Sequence, residues 1–290
     1  MSATLAAEQL LNGLQLGLML FLLAAGLTLV LGIMDTINLA HGSLYMVGAY
    51  LTAALLPATG SFVVALALAV VATAILGAIL EMTVLRALYR RDHLSQVLAT
   101  FALILIANEA VRMIWGAQPL PLASPAAMSG PVELWSGLSY SAWRLLLIAV
   151  GLGVALLLFI LVTHTRAGMR VRAGASNREM AEVMGVDVKR LFTVVFAIGA
   201  GLCALAGALL GPLLAVQVGM GESILILAFV VVVIGGIGSI RGAFVGALLV
   251  GLVDTAGRAF LFPALASIAI YVLMAAVLFW KPQGLFPARA

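Results

Sequence analysis

The sequence predicts an all-α polytopic membrane protein with eight or nine transmembrane helices. Of its 290 residues, 64% are hydrophobic and only 9% are charged, and the mean hydropathy is +1.24. Soluble domains average roughly 45–50% apolar and 25% charged residues. The apolar residues also fall into successive windows of about 20 residues, the length that a helix needs to cross the hydrocarbon core. We therefore expect one transmembrane domain over residues 1–290.

The predicted spans follow one another with short breaks. Residues 224–257 are too long for one span and contain several glycines and Arg241, so we expect two short segments that meet near Gly235–Gly242. This gives nine segments, or eight if one short piece is re-entrant. The other predicted spans are residues 8–31, 37–56, 61–85, 95–115, 142–163, 193–215 and 262–280.

The basic residues predict the orientation in the membrane. Segments 86–93 and 164–192 carry most of the 15 Lys and Arg residues, and nine spans place both on one face with the C-terminus. Because Lys- and Arg-rich loops stay in the cytoplasm, we expect the N-terminus outside and the C-terminus inside the bacterial inner membrane. Residues 116–141 contain no basic residue and are expected to form an extracytoplasmic loop.

Catalytic and metal-binding patterns are absent from the sequence. Cys203 lies in an apolar run without the neighbouring Cys or His residues of a metal site. There is no HExxH or GxSxG pattern, so we do not expect an enzyme.

Basic residues between spans indicate membrane orientation rather than nucleic-acid binding. The sequence also lacks the ATP-binding pattern GxxxxGK[ST], so another subunit or an ion gradient must supply the energy for transport.

Small residues recur at a spacing that suits helix packing. Gly238, Gly242 and Gly246 are four residues apart, which predicts one helix face. In a membrane, such faces let helix backbones approach closely.

A polar cluster interrupts the apolar windows near the start of the second span. Asp35, Asn38 and His41 follow one another at three-residue intervals, with Gly42 and Ser43 directly after. Polar side chains in hydrocarbon are costly, so these should face protein, water or one another. Three roles remain open. The cluster could cap a helix, line the solute path or its inner gate, or relay protons through His41.

Other polar residues lie close to the predicted span ends. Asn108 could line the solute path or form a packing hydrogen bond. The charged residues nearby are expected to form three local pairs, namely Glu81–Arg86, Glu109–Arg112 and Asp254–Arg258.

The longest basic segment contains an amphipathic pattern. In residues 177–191, Met180, Val183 and Met184 fall on one helical face, and Gly185 is expected to end the helix. The segment could serve only to set orientation, could lie on the membrane surface, or could dock a cytoplasmic partner. Its acidic residues disfavour an anionic lipid surface.

Three motifs resemble one family of membrane proteins. Residues 37–50, INLAHGSLYMVGAY, are similar to the Asn-x-Ala-His-Gly signature of bacterial ABC importer permeases for branched-chain amino acids. Residues 174–212 resemble that family's cytoplasmic coupling loop and the following helix, and residues 233–254 resemble its Gly-rich C-terminal segment. The motifs occur in the family's order, and the chain resembles the shorter of its two permease subunits.

The resemblance implies partners and a coupling role. It implies an assembly with a second permease subunit, two cytoplasmic ABC ATPases and an extracytoplasmic solute-binding protein. ATP and Mg²⁺ would bind to the ATPases, and no cofactor is expected in this chain. Residues 164–192 would form the coupling loop, and its helix would dock on an ATPase. The residues implied in this coupling are Asn177, Met180, Glu182, Met184 and Gly185.

The expected function is ATP-driven import of branched-chain or related hydrophobic amino acids. Urea, amides or other small organic solutes are alternatives within the same family. A secondary transporter driven by an ion gradient is the main alternative outside it, but its coupling would require carboxylates within the membrane. The acidic candidates all lie near the predicted membrane edges. The residues proposed to line the path or gate are Asn38, His41, Gly42, Ser43 and Asn108.

Overall fold

The computed structural model describes residues 3–34, 36, 38–89, 91–135, 137–260 and 262–286. The helices are α1 (Ala3–Met34), α2 (His41–Thr59), α3 (Phe62–Leu88), α4 (His93–Trp115), α5 (Ala142–His164), α6 (Arg166–Ser176), α7 (Arg178–Val183), α8 (Val188–Leu210), α9 (Met220–Gly235), α10 (Ile240–Phe260) and α11 (Pro263–Trp280). Strands β1 (Pro131–Trp135) and β2 (Leu138–Ser141) form an antiparallel hairpin, which the sequence analysis did not predict.

Each of the nine predicted apolar segments forms a helix. In the described residues, six helices are long and apolar enough to cross a membrane, namely α1, α3, α4, α5, α8 and α10. The shorter helices α2, α9 and α11 account for the remaining segments. The fold is therefore an all-α polytopic membrane protein.

Helix α1 occupies the centre of the bundle. Its residues 18–25 are almost completely buried, and α8 and α10 form most of the surrounding wall. Gly17 of α1 lies against Ala247 and Gly251 of α10, so the two helices approach at backbone distance. Close contact of this kind stabilises helices in lipid, where apolar burial alone provides little driving force.

In the described residues, the helices that correspond to the predicted segments alternate in direction between two ends of the bundle. Arg86 near the end of α3 meets Thr193 near the start of α8, so these helices are antiparallel. We call the end formed by the loop after α3, residues 164–190 and residues 281–286 the basic end. We call the end formed by residues 116–141 and 211–219 the hairpin end.

Contacts at the two ends fix this arrangement. At the hairpin end, Leu120 pairs with Val216 through its backbone, and Tyr140 donates a hydrogen bond of 2.9 Å to Asn12 of α1. At the basic end, the N–H groups of Leu285 and Phe286 donate to carbonyl groups at the end of α9. The start of α1 and residue 286 therefore lie at opposite ends of the bundle.

The break between α9 and α10 lies where it was predicted, between Gly235 and Gly242, but the placement of Gly238 differs from the prediction. Gly238 was expected on one helix face with Gly242 and Gly246, but it lies in the turn before α10 with a φ of 80°. The residue instead approaches Gly32 of α1. Gly242 lies against the backbone of Gly235 in α9, and a Cβ at Gly246 would lie 2.8 Å from the Val231 oxygen. A regular four-residue spacing does not reveal the left-handed turn that interrupts it.

Candidate functional site

The basic end contains the segment expected to dock a partner, and it is not one helix. Helix α7 spans only Arg178–Val183, and α8 begins at Val188. The Asn177 side chain accepts a hydrogen bond from the Met180 N–H at 2.9 Å, and the Asp187 side chain accepts one from the Arg190 N–H at 3.0 Å. Gly185 separates the helices with a φ of 85°. The predicted end of the helix at Gly185 is therefore confirmed, and a second capped helix begins within residues 177–191.

Helix α6 precedes this segment and was missed by the sequence analysis. The Thr165 side chain accepts a hydrogen bond from the Gly168 N–H at 3.1 Å and so caps its start. Gly168, Val171 and Gly174 recur every three residues and are buried against the bundle. The Thr cap and this spacing were the signals available in the sequence.

The outer face of this region is apolar and uncovered. The exposed fractions of Met180, Val183 and Met184 are 59%, 81% and 77%. Glu182 and Gly185 are also exposed, whereas Ala181 is buried beneath them. We call Met180, Val183 and Met184 the α7 ridge. An apolar ridge surrounded by polar side chains is typical of an interaction surface.

Arg178 connects α7 to the membrane bundle. Its Nε and Nη2 atoms donate hydrogen bonds of 3.0 and 2.7 Å to the backbone oxygen of Ile33, in the last turn of α1. The guanidinium also lies 5.1 Å from the ring centroid of Phe192 in α8. A cation is favoured at the carbonyl end of a helix and over an aromatic face. Arg178 of α7 therefore contacts both α1 and α8.

A buried carboxylate extends this contact to α3. The Glu81 side chain is fully buried and accepts hydrogen bonds from Arg86 at 2.9 Å, Tyr89 at 2.9 Å and Thr193 at 2.6 Å. Tyr89 packs edge-on against Phe192, with ring centroids 5.4 Å apart. Burial, followed by the charge of Glu81, raises the pKa of Tyr89 well above its usual value, so the phenol stays neutral and donates.

The Glu81–Arg86 pair was predicted, but its geometry was not. The two residues are five apart because α3 passes through a wide π turn at Glu81–Leu85. Turns of this kind are rare and are found frequently at functional sites. The contacts to Tyr89 and Thr193 had no signal in the sequence.

The polar cluster after α1 lies inside the bundle. The His41 side chain is fully buried between Gly26 of α1 and Gly199 of α8, and its Nε2 atom lies 3.0 Å from Sγ of Cys203. Gly26 lies two turns before the end of α1, so the connection doubles back into the bundle before α2 begins. Asp35 lies outside the described residues.

The cluster forms tight structural contacts. The Asn38 side chain accepts a hydrogen bond from the Ala40 N–H at 3.0 Å, just before α2. Gly42 lies against the backbone of Gly221 in α9, and Ser43 is buried beside it. Asn38 therefore stabilises the turn before α2, whose N-cap is Ala40, and does not itself cap the first turn of the helix. The roles of these residues in a path or gate stay predictions.

The last predicted path residue lies on α4. The amide nitrogen of Asn108 donates a hydrogen bond of 2.6 Å to a carboxylate oxygen of Glu222, in the first turn of α9. One residue further, Glu109 and Arg112 form the predicted ion pair at 3.2 Å. Both side chains of that pair are more than half exposed. The predicted Asp254–Arg258 pair is also present, at 2.8 Å.

Comparison with known proteins identifies the family. The family model described as branched-chain amino acid transport system / permease component matches residues 9–278. The chain belongs to this permease family.

Curated relatives resemble this permease over nearly their whole length. It is 29% identical over 303 residues to the high-affinity branched-chain amino acid transport system permease protein LivH of Salmonella typhimurium, covering 96% of this chain and 94% of the relative. It is 29% identical to the corresponding protein BraD of Pseudomonas aeruginosa, with the same coverage of 96% and 94%. A probable branched-chain amino acid transport permease protein LivH of Methanocaldococcus jannaschii is 27% identical, with 92% and 88% covered. No solved structure matches the permease significantly.

Proposed function

We propose that this permease is one of two membrane subunits of an ATP-driven importer for branched-chain or related hydrophobic amino acids. The importer would also contain a second permease, two cytoplasmic ATPases that bind ATP and Mg²⁺, and an extracytoplasmic solute-binding protein. The observation that carries this proposal is the exposed α7 ridge, which Arg178 fastens to the last turn of α1. The names of the relatives support the solute class.

The α7 ridge would dock in a groove of one ATPase. Met180, Val183 and Met184 expose apolar surface at the end of the bundle where the basic residues collect. Apolar side chains that fit a pocket contribute much of the energy of an interface. With the ATPase on this side, the basic end is cytoplasmic and the hairpin end faces outward, which agrees with the positive-inside rule.

Closure of the ATPases would reach the solute path through α1 and α8. A displacement of α7 would move the Ile33 carbonyl and Phe192 with it, because Arg178 contacts both. Ile33 lies close to the connection that leads to Asn38 and His41. Discrete rearrangement of packed elements is how such displacements spread in proteins. Residues 38–43 would then act as an inner gate that opens and closes with the ATPase cycle.

The outer part of the path would run along α4 and the start of α9. Glu109, Arg112 and Glu222 are exposed although α4 has the length and composition of a span. Charged groups in lipid are costly, so this face should meet water or protein. We assign it to the boundary with the second permease, where Asn108 and Glu222 would contact the passing solute.

Uptake of radiolabelled leucine in vesicles containing the full importer tests this function. The double variant Val183→Asp/Met184→Asp should reduce ATP-dependent uptake at least about 30-fold, the effect of losing about 2 kcal/mol of interface energy. The control Met128→Asp/Val132→Asp replaces two exposed apolar residues at the hairpin end and should retain uptake. Continued ATP-dependent uptake in the double variant would contradict docking through the α7 ridge. Uptake that instead collapses with the proton gradient would indicate an ion-driven transporter.

A further inference from the structure

A cavity of about 810 Å³ opens at the basic end between α1, α5, α6 and the α9–α10 turn. Its lining includes Arg172, Arg178 and Arg241, together with Ser239 and Phe159. It does not include the α7 ridge. The cavity is therefore a second feature of the basic end, separate from the surface proposed to dock an ATPase.

The charges in this cavity are of one sign. No acidic residue contributes to the described lining. Arg178 is held by the Ile33 carbonyl, and Arg172 donates to the Val162 carbonyl. Neither Arg172 nor Arg241 forms an ion pair with a described residue. Two cations without acidic partners in one concave site favour an anionic ligand.

The position of Arg241 places this charge at the edge of the membrane. Arg241 lies in the first turn of α10, and its guanidinium is 5.4 Å from the ring centroid of Phe159, about one turn before the end of α5. On the same part of α5, Leu156 and Ile160 are exposed by 59% and 45%. The cavity thus adjoins exposed apolar side chains of α5, a helix with the length and composition of a membrane span.

We propose that this cavity binds an anionic phospholipid. Arg172 and Arg241 hold the headgroup phosphate, since a guanidinium pairs with phosphate through parallel hydrogen bonds. One acyl chain lies along Phe159, Leu156 and Ile160 of α5. A nucleotide or free phosphate would leave these apolar side chains uncovered, which favours a lipid. Basic pockets between transmembrane helices commonly bind lipid headgroups in this way. The proposal does not depend on the transported solute.

Lipid retention by the full-length permease in detergent tests the proposal. Native mass spectrometry compares phosphatidylglycerol with phosphatidylcholine for the wild type, Arg172→Gln/Arg241→Gln, and the control Arg166→Gln/Arg170→Gln. The control also removes two positive charges, but from α6 residues that do not line the cavity. A parallel series adds inorganic phosphate at the concentration of the lipid.

We expect the wild type and the control to retain phosphatidylglycerol preferentially. The cavity variant should lose about 25-fold in relative affinity, because each basic residue near an anionic lipid contributes about fivefold. Equal retention by the cavity variant, or an equal loss in the control, would overturn the proposal. Displacement of the lipid by equimolar inorganic phosphate would also overturn it, by identifying a simple anion site.

Discussion

The guanidinium of Arg178 and the backbone oxygen of Ile33 are joined by two hydrogen bonds, although the residues are 145 positions apart in the sequence. The carbonyl groups of a helix's last turn lack intrahelical partners, and a cation both satisfies and neutralises them. In this permease the pairing connects a six-residue helix at the basic end to the most buried helix of the bundle. It is a direct contact between α7 and the helix at the centre of the fold.

Arg178→Lys should uncouple ATP hydrolysis from transport. A lysine cannot reproduce the two-pronged contact with the Ile33 oxygen or lie flat on Phe192. We expect leucine uptake to fall about tenfold, the effect of losing about 1.4 kcal/mol of coupling, while ATP hydrolysis continues. Uptake and hydrolysis are measured in the same vesicles. Arg170→Lys, on the exposed side of α6, is the matched control and should change neither rate.

In an alternative outcome, uptake by Arg178→Lys falls only because less of the variant permease is inserted in the membrane. It would assign Arg178 to folding alone and would contradict its role in transmission. Quantifying the permease in the same membranes separates the two outcomes.

Glu81 and its three donors Arg86, Tyr89 and Thr193, which we call the Glu81 cluster, should contribute strongly to stability. Glu81 is fully buried, whereas Arg86 is about one-third exposed, so removing the carboxylate leaves partly buried donors unsatisfied and costs about 1–3 kcal/mol. Glu81→Ala removes the acceptor for Arg86, Tyr89 and Thr193 together. We therefore expect a marked drop in the unfolding temperature of the detergent-purified permease.

The exposed ion pair on α4 provides the comparison. Glu109→Ala breaks a pair that is more than half exposed, and such pairs contribute only about 0–1 kcal/mol. Its unfolding temperature should stay close to that of the wild type. If both variants unfold at the same temperature, the Glu81 cluster does not stabilise the junction of α3 and α8.

The apolar windows predicted where the helices lie, but not how their ends are built. Each predicted segment is helical because a spanning chain must satisfy its backbone groups internally. The capping roles of Asn177 and Asp187 are local, and these two helix-start signals, with the break at Gly185, divide residues 177–191 into two helices. The contacts of Arg178 with Ile33 and of Glu81 with Thr193 join distant segments, and a single sequence contains no signal for such contacts.

Gly42→Ala should disrupt the contact between α2 and α9. A Cβ at this position would lie 2.3 Å from the backbone oxygen of Gly221, which cannot move without shifting α9. Overpacking of this kind costs about 1–3 kcal/mol. We expect a lower unfolding temperature and reduced uptake.

Gly153→Ala is the matched control for this substitution. Gly153 lies within α5 with no atom near the added Cβ, so alanine should stabilise the helix slightly. If Gly42→Ala matched Gly153→Ala in unfolding temperature and uptake, the close approach of α2 and α9 would not be required.

Asp92 should make the start of α4 sensitive to acid. Hydrogen bonds from the Ser95 side chain and N–H lower the pKa of the Asp92 carboxyl below its usual 3.8. Because the folded pKa is depressed, this cap is fully present above about pH 4 and is lost as the pH falls through the folded value. The Ser95 amide shift in NMR spectra of the permease in detergent micelles reports the titration. Ser95→Ala, which removes the 2.7 Å bond, should move the midpoint up towards 3.8; an unchanged midpoint would contradict this cause.

The orientation of the permease can be read from cysteine labelling. The native Cys203 is buried, so the wild type should not react with a membrane-impermeant thiol reagent and gives the background. Ser129→Cys places an exposed thiol at the hairpin end, and Glu179→Cys places one on α7. If the basic end is cytoplasmic, intact spheroplasts label Ser129→Cys alone, and inside-out vesicles label Glu179→Cys alone. The reverse pattern would put the α7 ridge outside the cell, where no ATPase could reach it, and would contradict the proposed coupling.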